Sequence, residues 1–233
     1  MESKNMRIDK LLSHLKYGSR KEMKSWLIKH IVLVDGERVK IADTHVDPNT
    51  QAITIDGVKL FYQENIHLAI YKPKGYVSAN QDALHPCVVD LVQEPFNRFD
   101  FKIAGRLDLD AEGLLILTTD GQFVHDITHP KSHVPKKYEV TLDQPFTHKK
   151  ALLKGVDIKD GYNEIYHAKA LDIHVQDHSV IITIDEGKFH QVKRMFMHVG
   201  YEVLSLKRTH IGNLALSDLE PGTYREFRKE ACL

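Results

Sequence analysis

Along the first sixty residues, apolar positions keep two different periods. Ile8, Leu11, Leu12 and Leu15 recur every three or four places within residues 6–15, which predicts a helix, and Gly18-Ser19 supplies a stop followed by a fresh N-cap. A second helix is predicted over residues 20–30. Residues 31–34 and the stretch after Asp35-Gly36 read as strand, turn and strand, because Asp-Gly readily takes the positive φ of a tight hairpin. Ile53-Thr-Ile55 with Asp56-Gly57 closes this unit of two helices followed by a small sheet.

From about residue 66 the pattern changes to longer apolar runs separated by turns. Strands are predicted at 68–71, 114–117, 138–140, 180–184 and 201–206, and helices at 121–127, 148–154 and 189–199. Strands interrupted by few helices point to an α+β unit with a mixed, mainly antiparallel sheet. In the last of these helices Phe189, Val192, Phe196 and Val199 form an apolar stripe read as core, which turns Lys188, His190, Lys193 and Arg194 toward another face. The chain of 233 residues suits one small and one larger domain, taken as 1–58 and 66–233 with a short linker at 59–65.

Composition narrows the function. Hydrophobic residues make up 42% and charged residues 27%, an ordinary globular mixture, and Lys plus Arg balance Asp plus Glu at 32 each. No global field marks a polybasic protein, so any nucleic-acid footprint must be local. One local excess exists: Arg7, Lys10, Lys16, Arg20, Lys21, Lys24 and Lys29 face only Asp9 and Glu22 within residues 7–29. By charge alone this fits two solvated amphipathic helices equally well. Cys87 and Cys232 are too far apart for a disulfide framework or a metal knuckle, which favours a reducing, cytoplasmic setting. No targeting or membrane segment and no phosphate-cradling Gly-rich loop is evident, so neither a membrane nor a nucleotide cofactor is expected. His125, His129 and His133 recur at helical spacing, but Pro130 would break that helix, so they read as surface or packing residues and no metal site is assigned.

The most informative stretch is Gly105-Arg-Leu-Asp-Leu-Asp-Ala-Glu-Gly-Leu-Leu-Ile-Leu-Thr-Thr-Asp-Gly121. It displays Asp108, Asp110 and Glu112 on a turn that runs into a hydrophobic strand, a firm support for a reactive carboxylate. Spacing alone favours a solvated acidic turn. The same stretch closely resembles the signature of pseudouridine synthases of the RsuA group and its RluB-type relatives. Tyr71-Lys-Pro-Lys-Gly-Tyr-Val77, Lys137-Tyr-Glu-Val140 and Glu186-Gly-Lys-Phe-His-Gln-Val-Lys-Arg-Met-Phe196 resemble three further blocks of that family, in the family's order. Residues 6–55 are similar to the small RNA-binding domain first described in ribosomal protein S4.

The resemblance implies an enzyme that isomerises a uridine of ribosomal RNA without a metal or redox cofactor. Its catalytic carboxylate would be Asp108, acting as nucleophile or base beside the sugar. Tyr138 would stack on the extruded uracil. A basic partner of Asp108 falls at Lys193, with Arg194 as the near alternative, where relatives carry an arginine that could fork rather than a point-charge lysine. Arg106 would fill the gap left by the flipped base or grip a phosphate, and Arg7, Lys10, Arg20, Lys21 and Lys24 would bind RNA with Arg194. Ala111-Glu112 stand where relatives often have hydroxyl residues, with little effect expected on the reaction. The Phe189-His190 pair favours 16S rRNA, free or in an assembly intermediate, over 23S rRNA, and the enzyme is expected to act as a monomer. The rivals are a ribosome-associated binder without activity, which would tolerate Asp108→Asn, and a glycosidase or metal-phosphodiesterase pair at Asp108 and Asp110, which would need a defined carboxylate gap.

Overall fold

The first apolar repeat does build a helix, α1 (Ile8–His14), but Met6–Arg7 ahead of it is drawn into an antiparallel pair with His45–Val46. The second helix, α2 (Met23–Lys29), starts later than the periodicity predicts. Ser19 and Glu22 form the turn before it, the Ser19 N–H and hydroxyl both donating to Glu22 Oε2 at 2.9 and 2.7 Å. These bonds close the turn ahead of the helix, so Ser19 is not its N-cap: that place falls to Glu22, whose side chain caps no helical N–H. A four-stranded antiparallel sheet follows, in the order Glu37–Arg38, Val32–Val34, Ile53–Ile55, Val58–Lys59. Asp35 and Gly36 at one hairpin, and Asp56 and Gly57 at another, take the positive φ that these turns require. Ile8, Leu11, Leu12, Leu15, Met23 and Leu27 of the helical part are buried, as are Val32 and Ile53 of the sheet.

This computed structural model describes residues 5–233, and the chain divides into two compact units. The smaller takes in the chain up to Asn65 and also Val92–Asp100, a segment that sequence placed with the larger domain. Aromatic packing holds that segment: Phe61 meets Phe96 and Phe99 edge-on at 5.3 and 5.9 Å, and Arg98 lies 4.3 Å from the centre of the Tyr17 ring. Lys16 donates to the carbonyls of Asn97 and Phe99, both at 3.2 Å. Nothing in the composition of residues 92–100 signals this partnership.

The larger unit, Ile66–Leu91 with Phe101–Leu233, is built on a nine-stranded mixed sheet. Its main path runs Asp172–Gln176, Ser179–Ile184, Lys136–Leu142, Val203–Ile211, Glu112–Thr118, His67–Lys72, Tyr224–Glu226. These neighbours are antiparallel except Val203–Ile211 beside Glu112–Thr118, which run parallel. His67–Lys72 is buried at every position, as a central strand covered on both faces must be. Helix α3 (Gly121–Thr128) is capped by Asp120, which accepts from the N–H groups of Gln122 and Phe123, and it sinks Phe123 and Ile127 into a core with Ala69, Leu114, Ile116 and Ile211. Two more helices follow, α4 (Lys149–Lys154) and α5 (Gln191–His198). A separate hairpin pairs Val156–Lys159 with Ile165–Ala168. No helix among the described residues is long and apolar enough to cross a membrane.

One core assignment fails. The helix predicted from residue 189 begins only at Gln191, and Phe189 is 55% exposed rather than buried, whereas Val192 and Phe196 are in the core and Val199 is half-buried. The physical reason is His190, whose φ of +51° breaks the helical phase one residue before α5.

Candidate active site

Asp108 lies on the loop between the Lys102–Ala104 and Glu112–Thr118 strands, and that loop is fastened at several points. Ser78 Oγ donates to the Leu107 carbonyl at 2.8 Å and accepts from the Leu107 N–H at 3.0 Å. The Gly75 N–H reaches the Leu109 carbonyl at 2.8 Å, so the turn of the Lys-Pro block supports the acidic turn. Beneath both runs Arg208, a guanidinium only 1% exposed. It donates from Nε to the Leu114 carbonyl at 2.8 Å and from Nη2 to the Gly105 carbonyl, tying together the two ends of the loop. Gly113 makes this possible, since a Cβ there would stand 2.3 Å from the Arg208 carbonyl oxygen.

The Asp108 side chain is 25% exposed and has two cationic or potentially cationic neighbours. His190 Nε2 stands 3.2 Å from Oδ1, and Lys193 Nζ stands 3.4 Å from Oδ2. Lys193 is shared, for it binds both oxygens of Asp110 at 2.6 and 2.8 Å. Those bonds hold the Asp110 carboxyl below the usual carboxylate range. Arg194 points elsewhere: it donates to the Lys159 carbonyl and its guanidinium lies 5.1 Å from the centre of the Phe189 ring. Of the two basic residues considered from sequence, Lys193 therefore reaches Asp108 and Arg194 does not.

A cleft of about 630 Å³ opens beside Asp108, within the range of small-ligand sites. Tyr138, Lys136, Arg106, Leu109, His190 and Arg208 are among its walls. Tyr138 is 6% exposed, and the Arg208 guanidinium carbon is 6.0 Å from its ring centre. Arg106 is exposed. An acid, an aromatic ring and several cations thus converge on a partly apolar space that could take a planar, polar base attached to an anionic backbone.

Buried cations add a feature the sequence concealed. Burial pushes the Lys72 ammonium down to about 8 against the opposing pull of Asp108, Asp110 and Glu112. Burial, reinforced by the charge of Arg208, does the same to Lys136, also to about 8. Each donates to a backbone carbonyl, Lys72 to Pro73 at 2.9 Å and Lys136 to Val134 at 2.8 Å. Tyr71 is pushed up to about 12, first by burial and then by donating to Glu112 Oε2 at 2.9 Å. That bond shows what Glu112 does: it engages the strand behind the loop. Ala111 beside it is fully buried. Arg208 had no signal in the sequence, where a strand reading Leu-Ser-Leu-Lys-Arg looks like a solvated edge.

In the smaller unit, Arg7 binds both oxygens of the buried Asp9 at 3.1 and 2.8 Å, and Arg20 comes within 3.6 Å of the same carboxylate. Lys10, Lys21 and Lys24 are exposed. The triple-histidine spacing does not persist in space: His125 and His129 rings lie 4.7 Å apart, while His133 pairs with Asp185 at 2.8 Å.

Comparison with known proteins gives this geometry a context. Residues 66–198 match the family model described as RNA pseudouridylate synthase, and residues 6–51 match the S4 domain. A protein of Bacillus subtilis described as an uncharacterised RNA pseudouridine synthase is 44% identical over 97% of this chain and 96% of its own length. The ribosomal small subunit pseudouridine synthase A of Yersinia pestis is 38% identical over 97% of this chain and 96% of its own, and that of Escherichia coli 37% over 97% of each. A crystal structure of a pseudouridylate synthase, 33% identical, superposes with a TM-score of 0.65 over 97% of both chains.

Proposed function

The chain belongs to the RNA pseudouridylate synthase family and carries an S4 domain ahead of its catalytic region, and on that premise we propose that it isomerises one uridine of 16S rRNA, at the position the small-subunit enzymes modify. The reaction breaks the bond between C1′ of the ribose and N1 of uracil, joins C1′ to C5, and moves the C5 proton to N1. Composition and oxidation state do not change, so no oxidant, reductant or group donor is consumed. The observation that carries the reading is a carboxylate, Asp108, placed between His190 and Lys193 on the wall of a cleft that also contains Tyr138.

Each role follows from the placement. Asp108 acts as nucleophile or base at the sugar. Tyr138 offers its ring to the extruded uracil. Lys193 holds the carboxylate as a point charge, and Arg106, exposed at the cleft, takes a phosphate or the space the base vacates. Extruding a base from folded RNA costs a few kcal/mol, and stacking on one aromatic recovers roughly 1 to 3 kcal/mol. Phosphate contacts supply the remainder, which is the task proposed for Arg7, Lys10, Arg20, Lys21 and Lys24 of the S4 domain and for Arg194. The choice of 16S rRNA, free or in a small-subunit assembly intermediate in the cytoplasm, rests on the small-subunit enzymes that are 37% and 38% identical over nearly the whole chain.

The test is direct. Unmodified 16S and 23S transcripts are incubated with the protein, treated with carbodiimide and mapped by reverse-transcription stops. One new pseudouridine in 16S is expected, lost in Asp108→Asn while RNA binding persists. Modification of 23S alone would reassign the substrate, and undiminished product from Asp108→Asn would remove the carboxylate from the chemistry.

A further inference from the structure

The turn that enters α5 is stitched from several sides. The Lys188 N–H donates to Gln191 Oε1 at 3.1 Å, Gln191 Nε2 donates to Glu186 Oε2 at 3.1 Å, and the Gln191 N–H donates to the Lys188 carbonyl at 3.1 Å. Gln191 is 3% exposed, so these bonds are sheltered from water. Within the turn His190 is held at φ +51°, the left-handed region that residues with a Cβ rarely adopt. A residue kept in that region by its surroundings invites a functional reading. Its ring stacks on Phe189, centroids 3.7 Å apart and planes 20° from parallel, and the Arg194 guanidinium lies 5.1 Å from the centre of the Phe189 ring. This explains why Phe189 is conspicuously exposed: it backs a ring instead of joining the core.

One nitrogen of the held ring lies close to Asp108. His190 Nε2 is 3.2 Å from Asp108 Oδ1, nearer than Lys193 Nζ is to Oδ2 at 3.4 Å, and Lys193 divides itself between Asp108 and Asp110. We propose that His190 is a positioning residue for the reaction, donating its Nε2–H to Asp108 Oδ1 so that the carboxylate keeps one orientation beside the sugar. The two oxygens then have separate holders, His190 for Oδ1 and Lys193 for Oδ2, and the carboxylate cannot rotate to give both to the lysine. A carboxylate oxygen can only accept, so the proposed bond requires a proton on Nε2. The inference rests on Asp108 being the catalytic carboxylate.

Two substitutions separate the ring from the backbone. Asn tolerates the left-handed conformation but is too short to reach Oδ1, so His190→Asn should keep the turn and release the carboxylate oxygen. Misplacing a reacting group by about 1 Å can cost on the order of 100-fold, and kcat on the 16S transcript is expected to fall about 30- to 100-fold with KM little changed. His190→Gln restores a donor with reach and should recover most of that loss. Full-length protein carrying 15N-histidine should show the His190 Nε2–H resonance moving in Asp108→Asn. A near-normal kcat in His190→Asn, a rise in KM alone, no recovery in His190→Gln, or an unmoved resonance would each overturn the proposal. Asp108→Asn separates the two ideas: if it stays active, the reading of Asp108 fails, whereas a dead Asp108→Asn beside an unimpaired His190→Asn defeats only the histidine.

Discussion

The two units of this protein use positive charge in opposite ways. In the catalytic unit Lys72, Lys136 and Arg208 are 0%, 5% and 1% exposed and bind backbone carbonyls, Arg208 those at the two ends of the Asp108 loop. In the S4 unit Lys10, Lys21 and Lys24 stand in solvent. A buried cation is costly to desolvate, yet its field is barely screened and its hydrogen bonds fix geometry. An exposed cation costs little and can seek a phosphate, but salt screens it. The difference separates building a site from catching a polymer, and substitutions in the two regions should fail in different measurements.

The largest effect is expected at Arg208. Arg208→Gln leaves the Gly105 and Leu114 carbonyls without their donor and opens the space the guanidinium filled. Leaving a buried carbonyl unpaired costs about 1 to 3 kcal/mol, and two of them in a chain of this size lower Tm by roughly 10 °C. Turnover should fall about 100-fold or more, because the ends of the Asp108 loop come loose. Thermal unfolding and single-turnover kinetics on the same preparation check both. A full-activity Arg208→Gln enzyme would mean that the loop is held by Ser78 and Gly75 alone.

Next come the buried lysines, for which pH gives the sign. Lys72 and Lys136 have folded pKa values lowered from 10.5 to about 8, chiefly by burial. Below about pH 8 both are protonated, folded or unfolded, and the burial cost is fully present. Between about 8 and 10.5 the folded state releases its protons first, the unfolded state binds more, and stability rises with pH. Each lysine contributes an instability of up to about 3 kcal/mol at neutral pH by this linkage. Lys136→Met should therefore raise the urea midpoint at pH 7 and flatten the alkaline rise. Since Lys136 lines the cleft, the same variant should turn over RNA more slowly. A midpoint that falls at pH 7 would show that its bond to the Val134 carbonyl outweighs the desolvation.

How much of this was legible depended on whether a residue's neighbours in sequence were also its partners in space. The 53–55 strand, the central 68–71 and 114–117 runs and the helix after Asp120 were readable because their period and caps are local. The resemblance singles out Asp108, and the structure sets it on a fastened loop beside a cleft. Arg208 was not readable, since a buried guanidinium inside a strand has the same letters as a solvated one and its partners lie 94 and 103 residues away. Phe189 was misread because its spacing to Val192 and Phe196 fits a helix, and only the left-handed His190 breaks that phase. The 156–159 and 165–168 hairpin is hard to read because each strand has only four residues and the second turns its Ile165 outward.

The smallest effects on the protein itself should come from the S4 unit, and there the arginines and lysines divide. Arg7 also serves the fold: its hydrogen bonds hold the buried Asp9 carboxyl below the usual range, with Arg20 assisting. Arg7→Ala should therefore cost some stability, little because the guanidinium is partly exposed and screened by solvent. The cost should fade as pH falls through the lowered pKa of Asp9 and its charge disappears. Replacing Lys10, Lys21 and Lys24 together by Gln should leave unfolding within about 0.5 kcal/mol of the parent and leave kcat untouched. What changes is the salt dependence of RNA binding, whose log–log slope should become shallower by roughly 0.7 to 0.9 for each phosphate no longer neutralised. If the slope stays the same while affinity drops, those lysines act through structure and the contrast between the two units weakens. If the slope shallows while kcat holds, charge in solvent recruits the RNA and charge in the core shapes the carboxylate that acts on it.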